Sequence, residues 1–198
     1  MDTSVLILYG SQKGSSYDAA RRLYRDFRRL GWLPTLSAMD SYPIEQLPKA
    51  SLIFFVCSTT GQGQPPDNML KTWQFLLRAD LPSNVLQNVK FGVFGLGDSS
   101  YPMYNAVARR LDRRLQTLGA KQICPLGLGD DQHSLSYDGG FIMWKIDVFE
   151  ALLSVLNDNN ATTNNNISIL KSRLQSALNI EKHSLTADSS TEANPVSS

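Results

Sequence analysis

The chain has 198 residues, with 19 Lys and Arg against 18 Asp and Glu, a net charge of +1, 42% hydrophobic and 19% charged residues. That length and balance describe one sizeable core with a tail and an ordinary globular composition. The even charge argues against a dedicated nucleic-acid binder, which carries a basic excess, and no apolar run is long enough to span a bilayer.

The first residues, Met-Asp-Thr-Ser-Val-Leu-Ile-Leu-Tyr, lack the basic region and long apolar core of a signal peptide. Residues 5–9 form an apolar run without polar alternation, which predicts a strand buried on both faces. Residues 15–30 read as a helix, with Ala19, Ala20, Leu23, Tyr24, Phe27 and Leu30 on one face. Arg21, Arg22, Arg25, Arg28 and Arg29 fall largely on the other face, read as solvated or as a docking surface, and Gly31 stops the helix. A short edge strand is expected over 35–38 and a buried strand over 52–57. A helix over about 68–78 opens at Pro65-Pro66-Asp67 and carries Trp73, Phe75 and Leu76.

Residues 91–96 predict a further strand, followed by a helix from about 102 to 118 with Gly119 as its stop. The segment 122–128 reads as a strand broken by Pro125, and a last helix covers about 142–156. Alternating strands and helices predict an α/β fold with a parallel sheet and helices on both faces. Five strands within 156 residues suggest the doubly wound, flavodoxin-like order 2-1-3-4-5. Residues 1–156 are therefore read as one domain and 157–198 as a polar linker or tail. Residues 157–166 contain six asparagines and two threonines, too polar to hold a fold. A short amphipathic helix over 167–180 would use Ile167, Leu170, Leu174 and Leu178. Cys57 and Cys124 have no CxxC or metal-ligand spacing and lie in apolar segments. They read as buried thiols in a reducing, cytosolic setting.

In an open parallel sheet, ligands sit beyond the carboxyl ends of the strands. Three loops are expected to meet there. Gly10-Ser11-Gln12-Lys13-Gly14-Ser15-Ser16 leads into a helix N-terminus, which suits a phosphate; the same residues also suit a plain capped helix start. The loop has neither Walker A nor GxGxxG spacing, which disfavours triphosphate hydrolysis and dinucleotide binding there. Ser58-Thr59-Thr60-Gly61-Gln62-Gly63-Gln64 offers donors and a backbone whose peptide at 60–61 or 61–62 is free to rearrange. Leu96-Gly97-Asp98-Ser99-Ser100-Tyr101 ends the third strand of the core and presents a tyrosine face for stacking. A fourth segment, Gly127-Leu128-Gly129-Asp130-Asp131-Gln132-His133, adds glycines and adjacent carboxylates. His133 reads as a surface or cap residue. One phosphate site, one stacking tyrosine and several small-residue loops together suit a flavin mononucleotide.

The segments LYGSQKGSSYDAA (8–20), MDSYP (39–43), FVCSTTGQGQPPDNM (55–69), WQFLLRADLPS (73–83), FGLGDSSYPMYN (94–105) and LGDDQH (128–133) resemble the FMN-binding domain of the diflavin reductases. That group includes cytochrome P450 reductase, and the nearer resemblance is to the NADPH-dependent diflavin oxidoreductases of cytosolic iron–sulfur protein assembly. Carried over by position, the resemblance implies FMN contacts at Ser11, Gln12, Lys13, Gly14, Ser15 and Ser16, and at Ser58, Thr59, Thr60 and Gly61. It implies a further set at Leu96, Gly97, Asp98, Ser99, Ser100, Tyr101, Pro102, Met103, Tyr104 and Asn105, and one at Asp131. No catalytic residue and no metal ligand is expected, because the flavin carries the chemistry.

Three positions depart from the family pattern. Lys13 stands where threonine is usual, Tyr17 where a polar or acidic residue is usual, and Thr60 where the cytochrome reductases carry a second aromatic. Asp98, Asp130 and Asp131 would set negative charge around the ring and disfavour its anionic reduced form. The resemblance further implies electrons arriving from an FAD/NADPH module and leaving singly for an iron–sulfur protein of the anamorsin type. No FAD or NADPH site is legible in the chain, so residues 157–198 read as a linker to such a module. A stand-alone flavodoxin, a flavin-free binding module and a two-electron quinone reductase remain as alternatives.

Overall fold

The computed structural model describes residues 4–158 and 165–191. Its strands are β1 (Ser4–Gly10), β2 (Leu33–Ala38), β3 (Leu52–Ser58), β4 (Lys90–Gly97), β5 (Lys121–Gln122) and β6 (Gly127–Asp130). The helices are α1 (Ser15–Leu30), α2 (Leu70–Leu76), α3 (Ala106–Thr117), α4 (Tyr137–Asp158) and α5 (Asn165–Thr191). Every pairing is parallel, and the sheet runs β2-β1-β3-β4-β5, with β6 also paired to β4. The expected order is therefore present, with its fifth position shared by two short strands. Lys121 and Gln122 pair with Lys90 and Phe91, and the ladder resumes only at Gly127 opposite Phe94. Pro125, which has no N–H to give, lies in the gap.

The central strands are buried on both faces, as their unbroken apolar runs require. On one face Leu6, Leu8, Ile53, Phe55, Phe91 and Val93 join Val107, Leu111 and Leu115 of α3 in a single apolar cluster. On the other, Phe27 of α1 stacks on Phe54 at 5.3 Å, and Phe94 meets Phe141 and Trp144 at 5.1 and 5.3 Å. In α1, Ala19, Ala20, Leu23, Phe27 and Leu30 are buried, and Arg21, Arg25, Arg28 and Arg29 are exposed. Gly31 ends the helix at φ 88°, returning its N–H to the carbonyls of Arg28 and Phe27. Both cysteines are buried, and burial pushes the Cys57 thiol up to about 12.

Four helices differ in extent from their sequence signals: α4 runs over Tyr137–Asp158 rather than 142–156, α5 is longer than expected, and α2 and α3 begin later. The expected helix over 68–78 is a 3-10 turn, Asp67–Met69, followed by α2. Asp40 accepts the N–H groups of Lys71 and Thr72 at 3.0 and 2.9 Å, fixing where α2 begins. At its far end Arg114 donates to the carbonyls of Leu76 and Arg78 at 2.5 and 2.6 Å. Helix α3 starts at Ala106 rather than near 102, because Asn105 adopts φ 53° and the residues before it form turns.

The chain divides into two compact units, residues 1–144 and 145–198. In the second, α5 extends past the expected 167–180 at both ends. Leu170, Leu174 and Leu178 are buried, whereas the side chain of Ile167 lies outside the described set. Ion pairs Lys145–Glu181 and Lys182–Glu150, the latter at 2.7 Å, engage α5 beyond residue 180. Of the expected linker, residues 159–164 and 192–198 lie outside the described residues. Among the described residues no helix is long and apolar enough to cross a membrane, and no cluster of His, Cys, Asp or Glu is placed to hold a metal.

Candidate functional site

A cavity of about 580 Å³ opens beyond the carboxyl ends of β1, β3 and β4, a size usual for cofactor clefts. Its first wall is the turn from β1 into α1. Gly10 leaves the strand with its α-carbon against Met69; a Cβ there would stand 2.3 Å from the Met69 sulfur. Ser11 donates its N–H to Asn68 Oδ1 at 2.8 Å, and its hydroxyl oxygen accepts the Gly14 N–H at 3.0 Å. The Gln12 amide is paired at both ends with Asp67, at 2.9 and 3.0 Å. The loop is therefore tied to the 3-10 turn 55 residues away. Gly14 caps α1 at φ 101°, a conformation that side-chain-bearing residues resist. Ser11, Gln12, Lys13 and Ser15 line the cavity. Gly14 and Ser16 do not; Ser16 is fully buried and its Oγ has no protein partner.

The second wall is Ser58, Thr59, Thr60 and Gly61. Thr59 donates its N–H to the Leu96 carbonyl at 3.1 Å, and its Oγ1 accepts the Val107 N–H at 3.2 Å, joining this wall to β4 and to the start of α3. Thr60 pairs with Gln64, and its carbonyl accepts the N–H groups of Gly63 and Gln64 at 3.1 and 2.8 Å. That carbonyl is thus engaged within the turn. The third wall is Leu96, Gly97, Asp98, Tyr101, Met103, Tyr104 and Asn105, with Asp131 beside it. Tyr101 is 63% exposed. Asn105 is buried and donates its amide to the Gly129 carbonyl at 3.0 Å, while its Oδ1 has no protein partner. Ser99, Ser100 and Pro102 shape the loop without lining the cavity.

The family model for flavodoxin matches residues 7–144 of this chain. The chain belongs to the flavodoxin family. NADPH-dependent diflavin oxidoreductase 1 of Danio rerio is 47% identical over 77% of this chain and 26% of its own length. The Arabidopsis thaliana relative of the same name is 43% identical over 76% of the chain and 24% of its own length. In Dictyostelium discoideum the match runs over 98% of the chain at 37% identity and covers 30% of the relative. The chain thus spans between about a quarter and a third of the length of these curated relatives. A solved flavodoxin from Pseudomonas aeruginosa superposes with a TM-score of 0.62 at 26% identity, covering 75% of this chain and 98% of that one. Streptococcus pneumonia TIGR4 flavodoxin superposes at 0.57 with 19% identity over 87% of this chain and 95% of its own, and shows the shared fold. The domain is a flavodoxin-like FMN domain homologous to the NADPH-dependent diflavin oxidoreductases.

In this flavodoxin domain the acidic residues of the third wall build the loop as well as charge it. Asp98 accepts the N–H and hydroxyl of Ser100 at 2.9 and 2.6 Å and the Gln132 amide at 3.0 Å. The Ser100 hydroxyl first, then its N–H, hold the Asp98 carboxyl below its ordinary value. Asp130 accepts from the N–H groups of Ser99 and Gln132 at 2.9 and 3.1 Å. Burial opposes its ionisation, yet these bonds prevail and its carboxyl also lies low. Asp131 accepts the Ser136 hydroxyl at 3.0 Å. Burial raises the Tyr104 phenol, whose ring has the Arg109 guanidinium 5.9 Å from its centre. Every cavity-lining residue is one that the sequence singles out. The supporting partners Asp67, Asn68 and Gln132 are not singled out as contacts, because a pairing across tens of residues leaves no local pattern; Ser136, five residues from Asp131, is missed as well.

Proposed function

We propose that the cavity holds FMN, with the phosphate at the Ser11, Lys13 and Ser15 turn and the ring between the Thr59–Gly61 backbone and Tyr101. The observation that carries this is one cavity joining a helix-start loop to a tyrosine whose face stands open. The residues fit the group. Tyr101 supplies an exposed stacking face, and Ser11, Lys13 and Ser15 bring hydroxyls and a cation to the helix-start end of the same cavity. When bound, FMN supplies one-electron redox chemistry; the chain binds and orients it, and Asp98 and Asp130 keep negative charge at its ring end.

This domain, residues 1–156, receives electrons from an FAD/NADPH-binding module and passes them singly to an iron–sulfur protein of the anamorsin type in the cytosol. Residues 157–198 connect it to that module. Relatives named NADPH-dependent diflavin oxidoreductase, at 37–47% identity, support this reading over a stand-alone flavodoxin. The test supplies NADPH, a separately prepared FAD/NADPH module and an iron–sulfur acceptor to the chain with and without FMN. Acceptor reduction should require the FMN-loaded chain. Reduction at the same rate without FMN would overturn the proposal.

A further inference from the structure

The turn over 60–64 is a closed unit. Thr60 gives its N–H to the Gln64 carbonyl at 2.9 Å and receives the Gln64 N–H at 2.8 Å, and its hydroxyl donates to the same Gln64 carbonyl at 3.0 Å. The Thr60 side chain is therefore turned into its own turn, so this wall meets a ligand with backbone. One end of the turn is anchored by Thr59 to β4 and α3, and beyond the other Asp67 is anchored to Gln12. Between those anchors stands Gly63, at φ 90°. Met103 of the opposite wall lies flat against its α-carbon. A Cβ on Gly63 would meet Met103 Cε at 2.8 Å, Cβ at 3.3 Å and Cγ at 3.4 Å. Gly61, by contrast, faces only the Gln64 side chain of the same turn.

We propose that Met103 is a positioning residue: its thioether chain is the strut on which the 60–64 turn rests, and it fixes how closely that turn approaches the flavin ring. The inference rests on the flavin reading of the cavity. An unbranched, adaptable side chain suits a contact with a bare glycine. The Thr60 carbonyl is engaged inside the turn, and the strut sets how far the turn's backbone stands from the ring. The strut therefore acts on the reduction potential as well as on affinity.

Three readouts test this. In the flavin-free chain, Met103→Ala should speed amide hydrogen exchange at Gly63 and Gln64 while leaving the β4 core amides unchanged. In titrations, Met103→Ala should weaken FMN and riboflavin by the same factor, roughly two- to tenfold, and shift the potential, with Met103→Leu restoring most of the loss. Gly63→Ala should weaken binding through its positive φ and through its clash with Met103, and adding Met103→Ala should recover only the clash part of that loss. Unchanged exchange and potential in Met103→Ala, or strictly additive losses in the double variant, would overturn the strut. Failure of the unaltered chain to bind either flavin would instead overturn the parent reading.

Discussion

Tyr101→Ala removes an exposed aromatic face at the cavity, and its cost follows from exposure. A tyrosine buries on the order of 200 Å² when fully enclosed. Tyr101 is 63% exposed without a ligand, so about 125 Å² is open, and a ring stacked on one face covers roughly half of that. At about 25 cal/mol per Å² this is worth about 1.5 kcal/mol. Stacking adds about 0.5–1.5 kcal/mol, for a total of ~2–3 kcal/mol, or roughly 30- to 150-fold in Kd. The assay is a fluorescence-quenching titration with FMN, run beside thermal unfolding of the flavin-free chain. Affinity should fall while unfolding stays put, because an exposed ring contributes little to the fold, and Tyr101→Phe should keep most of the affinity. An unchanged Kd for Tyr101→Ala would refute the stacking assignment.

Lys13→Thr should weaken FMN roughly two- to fivefold at low salt, as for an exposed ion pair, and leave riboflavin unaffected; equal losses for both ligands would place Lys13 away from the phosphate. Gly14→Ala should cost about 1–2 kcal/mol in denaturant unfolding, since φ is 101° and a Cβ there meets nothing within 4 Å; an unaltered midpoint would contradict the backbone argument. Asp112 is buried, accepts the amides of Gln116 and Gln122, and is raised by that burial. A raised carboxyl holds its proton longer when folded, so stability falls as pH rises from about 4 through the raised value. Asp112→Asn lacks that loss, and its stability relative to the unaltered chain should climb as pH rises above about 4; a pH-independent difference would contradict it.

Much of the site is legible because its residues cluster at strand ends. The runs at 52–57 and 91–96 announce buried parallel strands, and Ser58, Thr59, Thr60 and Gly61 after the first and Gly97, Asp98 and Tyr101 after the second line the cavity. What the sequence does not announce is division of labour. Gln12, Thr59 and Asp98 read alike as ligand contacts, yet each is engaged with a distant partner: Asp67, Val107 and Gln132. Ser16 belongs to the same hydroxyl-rich loop as Ser15, but one step along a helix rotates it into the interior. The extent of α2 is hidden for the same reason, its start being set by Asp40 and its end by Arg114. Local periodicity records which face is apolar; it does not record which side chain arrives from elsewhere to cap it.

The proposed FMN site serving single-electron transfer is tested most directly by a reductive titration of the purified chain with FMN, followed by its absorption spectrum. FMN should bind tightly and be reduced in two resolved one-electron steps. No flavin binding, or a single two-electron step, would contradict the proposal.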